Sequence, residues 1–173
     1  MSSFLTIQTR KPQRGFTLIE ILVALVILSV GLLGVASLQV QCLRNNQSAY
    51  LRSQATLLAY DMADRMRTNS ASAIAGSYND FDTKGTVPSD PDCTSSNTGC
   101  SAAAQSDTDK FEWARRVNGS ADTIILLPDA QGKIVRGAGN LFTIEVLWKE
   151  TQWDNDSASK TVSDQTFSVN FVL

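Results

Sequence analysis

Apolar positions along the chain follow different periods in different stretches. From Ile21 to Leu38, ILVALVILSVGLLGVASL, eighteen residues carry no charge. As a helix they cover about 27 Å, close to the roughly 30 Å hydrocarbon core of a bilayer. Ser29, Gly31, Gly34 and Ser37 suit such a segment, because lipid-buried helices accept small residues. Beyond Leu38 the chain continues through VQCLRNNQSAYLRSQATLLAYDMADRMRTN without proline or glycine. Leu51, Ala55, Leu58, Met62 and Met66 recur there at helical steps, and Leu43, Tyr50 and Leu57 add a neighbouring row. That spacing predicts an amphipathic helix with one buried stripe. Arg44, Arg52, Asp61, Asp64, Arg65 and Arg67 lie mostly off the stripe, on a predicted solvated face. One helix is expected from Phe16 to about Thr68, roughly 80 Å long at 1.5 Å per residue.

Residues 69–106 change character. They are rich in Ser, Thr, Asn, Asp and Gly, include Pro88 and Pro91, and read as a long loop. A short helix follows over DTDKFEWARRV, with Asp107 or Thr108 as N-cap and Asn118-Gly119 as its stop. Phe111, Ala114 and Val117 are predicted to face inward, and a core role suits Trp113 better than recognition. Strands are expected at Ile124 to Leu127 and Lys133 to Arg136, joined through PDAQG as a hairpin. In LFTIEVLW the residues Phe142, Ile144, Val146 and Trp148 fall on one face, with Thr143 and Glu145 on the other. Phe167, Val169, Phe171 and Leu173 alternate in the same way. The polar stretch Thr151 to Gln165 reads as a loop between these two strands. The predicted class is α+β: a long N-terminal membrane-spanning helix packed against a small antiparallel sheet.

Charge sharpens this picture. Arg10, Lys11 and Arg14 precede the apolar run, and the first fifteen residues hold no acid. From Phe16 onward there are twelve basic and seventeen acidic residues, a net of −5. Such a body does not suit nucleic acid, which needs clustered Lys and Arg. The basic excess before the run, against Arg44 alone shortly after it, predicts a cytoplasmic N-terminus and a C-terminal domain on the far side. Cys93 and Cys100 flank the polar TSSNTG, whereas Cys42 stands apart near the apolar run. The pair reads as a disulfide in an oxidising compartment, the alternative being two thiols in a cytoplasmic loop. Closing such a loop contributes roughly 2.5 kcal/mol by chain entropy. Cys42 is expected to be a small packing residue near the outer membrane boundary.

The chemistry of an enzyme is not in view. There is no histidine, which removes the commonest general base and zinc ligand. No nucleophile has a base beside it, and neither a Gly-rich phosphate loop nor a Cys-x-x-Cys pair occurs. Asp80 with Asp82, or Asp154 with Asp156, lack the spacing of a calcium loop and read as solvated acids. No cofactor and no metal is expected.

Glu20 is the anomaly, a carboxylate at the start of the apolar run. A charge there costs up to about 2.5–3.5 kcal/mol at mid-membrane and less near the interface, so a partner is expected. A secretory signal peptide cut after Gly34-Val35-Ala36, or a plain signal anchor, gives Glu20 no purpose. Arg14-Gly15-Phe16-Thr17-Leu18-Ile19-Glu20, however, resembles the prepilin signature of type IV pilins and their type II secretion relatives. The resemblance implies that a prepilin peptidase cuts between Gly15 and Phe16 and that Phe16 is then N-methylated. It also implies that Glu20 docks the subunit by attracting the N-terminal amine of a neighbour. Opposite buried charges cost far less together than apart.

Two features narrow the resemblance. Bulk filament pilins commonly carry a proline part-way along the membrane helix, and here Ser37 has no proline nearby. They also usually close a disulfide near the C-terminus, whereas the last 73 residues here hold no cysteine. GFTLIEILVALVILSVGLLG, AYDMADRMR, a cysteine pair before a Trp-bearing helix, and LPDAQG together resemble minor pilins of the PilV type, the type IV pilus modification proteins. That resemblance implies a subunit that primes pilus assembly, with the pilus tip as its place after assembly. Its partners would be the prepilin peptidase, other minor pilins, the major pilin, the inner-membrane assembly platform and membrane lipid, with no nucleic acid. A pseudopilin of a type II secretion system is the alternative; a DNA-uptake pilin or a secreted binding domain fits less well. The implied organisation is a leader over residues 1–15, a membrane or filament-core helix over 16–40, its amphipathic continuation over 41–68, and a periplasmic domain over 69–173.

Overall fold

The computed structural model describes residues 15–93, 95, 99–119, 126–154 and 159–173. The chain divides into two compact units, Met1–Asn45 and Asn46–Leu173. Its first element, α1, is an α-helix over Leu18–Thr68, as the unbroken sequence predicts. Within the first unit every described residue from Gly15 to Asn45 is exposed, the apolar run included. The hydroxyl of Ser29 is satisfied within the helix by donating to the Leu25 carbonyl at 2.7 Å.

In the second unit α1 behaves differently. Leu51, Ala55, Leu58, Ala59, Met62, Ala63 and Met66 are buried, which matches the stripe read from the spacing. The neighbouring row does not follow: Leu43, Tyr50 and Leu57 are exposed. Their seven-residue spacing keeps them on one face of the helix, but not on the face that meets the core.

The segment expected as a long loop holds more structure than its composition suggests. A short helix, α2, covers Ser70–Ala75 and ends at Gly76, whose φ of 101° is left-handed. Its N–H donates to the Ala73 carbonyl and closes the helix end. A two-residue strand, β1, follows at Phe81–Asp82. Helix α3 spans Ala102–Asn118, so it begins several residues before the expected Asp107 or Thr108. Ser101 is the true N-cap, its hydroxyl accepting from the Ala104 N–H at 3.2 Å.

Strands β2 (Gln131–Arg136), β3 (Leu141–Asp154) and β4 (Ser159–Val172) complete a four-stranded antiparallel sheet of order β1-β2-β3-β4. Two expectations are corrected here. The partner of β2 across the turn is not a strand ending at Leu127: Leu126 and Leu127 lie outside any strand, and Ile124 and Ile125 lie outside the described residues. The place is taken by β1, with Phe81 opposite Ile134 and Asp82 opposite Lys133. Residues Thr151–Gln165 are not a loop throughout either. Strands β3 and β4 pair from Leu141 with Val172 out to Asp154 with Ser159. The outer ribbon continues the ladder of the core-packed part of the same two strands.

The core lies between the 46–68 stretch of α1, helix α3 and one face of the sheet. Phe142, Ile144, Val146 and Trp148 are all buried, as their alternation predicts. Trp113 is fully buried and its indole N–H donates to the Leu58 carbonyl of α1 at 2.9 Å. Phe111, predicted to face inward, is only half-buried, with Arg115 stacked over its ring at 5.5 Å. Gly132 packs flat against the Trp113 ring, and any Cβ there would collide with it.

A buried polar cluster pins α1 to α3, and it overturns the expectation of a solvated Arg65. This side chain is only 19% exposed and pairs with Asp61 at 3.1 Å, Asp109 at 3.2 Å and Glu112 at 2.8 Å. Burial opposes its charge, but Asp61, Glu112 and Asp109 outweigh that and hold its pKa above the ordinary arginine value. The Tyr78 hydroxyl donates to Asp109 at 2.6 Å. Burial, reinforced by that bond, pushes Tyr78 well above the ordinary tyrosine range. Arg116 adds a second cation to Asp61 at 3.2 Å. The result is the α+β, pilin-like architecture that the resemblance implies, with a long apolar helix whose later stretch packs on a small sheet.

Candidate functional site

The residues singled out by the sequence gather at the start of α1. Gly15, Phe16 and Thr17 precede the helix in non-helical backbone, and Phe16 is exposed. A Cβ on Gly15 would meet nothing within 4 Å. The described residues therefore give no steric reason for glycine at this position.

Thr17 caps the helix. Its carbonyl accepts from the N–H of Glu20 at 3.1 Å and of Ile21 at 3.3 Å, and its hydroxyl from the Glu20 N–H at 3.4 Å. Thr17 and Glu20 thus have the spacing of a capping box, threonine at the cap and glutamate three residues on. Sequence reading from charge and apolar length missed this local role, although Thr-x-x-Glu before an apolar run is its signal. The position also places the carboxylate in the first turn, where the helix dipole favours a negative charge by about 0.3–1 kcal/mol. Glu20 is exposed, so its acceptor capacity remains open to another molecule.

Arg10, Lys11 and Arg14 lie outside the described residues, as do most of the positions between the two cysteines. Cys93 and Cys100 themselves are joined as a disulfide, with Cα atoms 5.4 Å apart. The Thr108 hydroxyl lies 3.1 Å from the Cys93 sulfur and anchors the staple to α3. Cys42 is exposed on α1 and takes no part in the bridge.

The acids considered for calcium are otherwise employed or set apart. Asp82 accepts from the Gln131 side chain at 2.8 and 2.9 Å and from the Lys84 N–H at 2.9 Å. Burial works against its charge, yet these donors and the nearby lysines hold its pKa below the ordinary value. Asp80 is exposed, and Asp156 lies outside the described residues. Among the described residues no group of three or more His, Cys, Asp or Glu could hold a metal ion.

The helix α1 is long and apolar enough to cross a membrane. Compared with known families, residues 10–36 match the prokaryotic N-terminal methylation motif, and residues 37–111 match type IV pilin Tt1218. No curated protein and no solved structure matches the chain. The two family matches abut and support a type IV pilin. A motif of this kind implies processing by a prepilin peptidase and assembly with other pilins, and with the apolar helix it fits an inner-membrane anchored pilin.

Proposed function

We propose that this chain is a minor pilin of the PilV type that takes part in priming type IV pilus assembly, with the pilus tip as its place after assembly. Prepilin peptidase cuts between Gly15 and Phe16, and Phe16 becomes the N-methylated first residue. The mature chain is held in the inner membrane by α1, with its N-terminus cytoplasmic and its domain periplasmic. Glu20 then meets the N-terminal amine of a neighbouring minor or major pilin as the assembly platform lifts the subunit out of lipid.

The observation that carries this reading is the pairing of an uncovered apolar helix with a single carboxylate in its first turn. Such a surface is stable only in lipid or against other helices, and the carboxylate is costly in either unless a cation joins it. Gly15, which the fold does not require, is the residue that a peptidase would read. The disulfide suits the oxidising periplasm.

The test is to shear surface pili from a strain lacking this protein, with and without an active retraction motor, and to score protein secretion in parallel. Loss of pili that partly recovers when retraction is blocked is the expected result. Normal pili with failed secretion would instead mean a type II secretion pseudopilin. Glu20→Ala is expected to insert in the membrane normally but to impair assembly; normal piliation with only that variant would remove the amine-pairing role.

A further inference from the structure

The sheet ends differently on its two sides. Strand β1 is two residues long; it contains Asp82 and is flanked by Asp80 and Lys84. A short, charged edge is a common way for sheets to refuse a further strand. Strand β4 is fourteen residues long, pairs with β3 along its length, and has no strand beyond it among the described residues. From Gln165 to Val172, QTFSVNFV, it holds no charge, proline or glycine.

The side chains of β4 are self-complementary in one register. Its solvent-facing row is Val162, Asp164, Thr166, Ser168, Asn170 and Val172. The large apolar members of that row stand at its ends, Val162 63% and Val172 71% exposed. If a second β4 runs antiparallel about a two-fold axis at Phe167, each Val162 faces the other copy's Val172. Thr166 then faces Ser168, and Asp164 faces Asn170. The Asn170 carbonyl already accepts from Thr143 at 2.8 Å, which leaves its amide N–H groups for the Asp164 carboxylate. On the core-side row the two Phe167 rings meet, and each is only partly buried in the single chain. Centring the pair on Thr166 would set Val172 against Lys160, and centring it on Ser168 would set Val172 against Asp164. Of these three centres the side chains favour Phe167, because a shift of register changes every cross-strand pair.

We propose that β4 is a docking edge for β4 of a second copy of this chain, joining two sheets edge to edge through this register. The interface is isologous, so one surface serves both partners. It is small, and co-anchoring of both copies in one membrane supplies the effective concentration that it needs. It stands apart from the priming role, since a homodimer could precede or accompany either pilus or secretion function.

The test uses the full chain with Cys42→Ser in membrane vesicles. Two differently tagged forms, Val162→Cys and Val172→Cys, are expressed together and oxidised mildly. Opposed residues on antiparallel strands have Cα atoms roughly 4.5–5.5 Å apart, within disulfide range. The mixed pair is expected to give at least about five-fold more cross-linked dimer than either form alone. Adding Thr166→Lys with Ser168→Lys sets like charges across the axis and is expected to abolish the dimer. Thr166→Lys with Ser168→Glu is expected to keep it, which separates repulsion from misfolding. Absence of the mixed dimer, equal yields from same-position pairs, or capture of a protein of different mass would each overturn the proposal.

Discussion

Helix α1 carries two stretches of opposite fate. Up to Asn45 its apolar side chains are all exposed, whereas from Leu51 to Met66 a stripe of them vanishes into the domain. The first stretch is apolar around its whole circumference, and the second on one side only. Apolar character all round calls for an apolar surrounding, and among the described residues this stretch is exposed on every side. The second stretch answers to partners within the chain: Trp113, the sheet and the Arg65 cluster. Mutational sensitivity of the folded domain should therefore switch along a single helix.

The largest effect is expected at the core anchor. Trp113→Ala removes a fully buried indole and its bond to Leu58, and should destabilise the domain by about 3–5 kcal/mol. Denaturant unfolding of the full chain in detergent would show it. Next comes a matched pair on α1. Leu58→Ala, at a residue 4% exposed, should cost about 2–5 kcal/mol. Leu28→Ala, at a residue 58% exposed, should leave the same transition within about 0.5 kcal/mol. Equal losses at the two sites would break the contrast. Arg65→Met leaves Asp109 and its neighbours without their shared cation, and about 2–3 kcal/mol is expected because the site is not fully sealed.

The smallest effect concerns acid. Asp129 sits between Lys149 at 2.7 Å and Lys84 at 2.8 Å, and these two ammonium groups lower its pKa from 3.8 to about 2. A depressed carboxylate pKa stabilises the fold above the ordinary value, and this contribution fades as pH falls from 3.8 towards about 2. Asp129→Asn should flatten only that last acid limb, visible as a slightly shallower loss of Tm below pH 4. An unchanged limb would mean that solvent screens the cluster fully.

Much of this was legible in the chain because local period and burial agree. Leu51, Ala55, Leu58, Met62 and Met66 stand at helical steps, and Phe142, Ile144, Val146 and Trp148 alternate against the same core. Where pattern failed, the stabilising partner lay outside the window or was the backbone. The start of α3 at AAAQS shows no apolar period, and its cap is the single hydroxyl of Ser101. Thr151, Gln152, Thr161 and Val162 are exposed, so no buried face announces the ribbon that carries them. Arg65 looked like a surface cation because Asp109 and Glu112 are more than forty residues away. At the helix start the charge of Glu20 stood out against the apolar run and hid the local cap that Thr17 makes with the Glu20 N–H.

The Cys93–Cys100 bridge also changes what a protease can accomplish. A single cut between those two residues would open the backbone without releasing a fragment, and the chain would travel as one piece until a reductant reached it. Damage at that segment would be silent on a non-reducing gel, and a nicked subunit would still reach its neighbours with all of its parts attached.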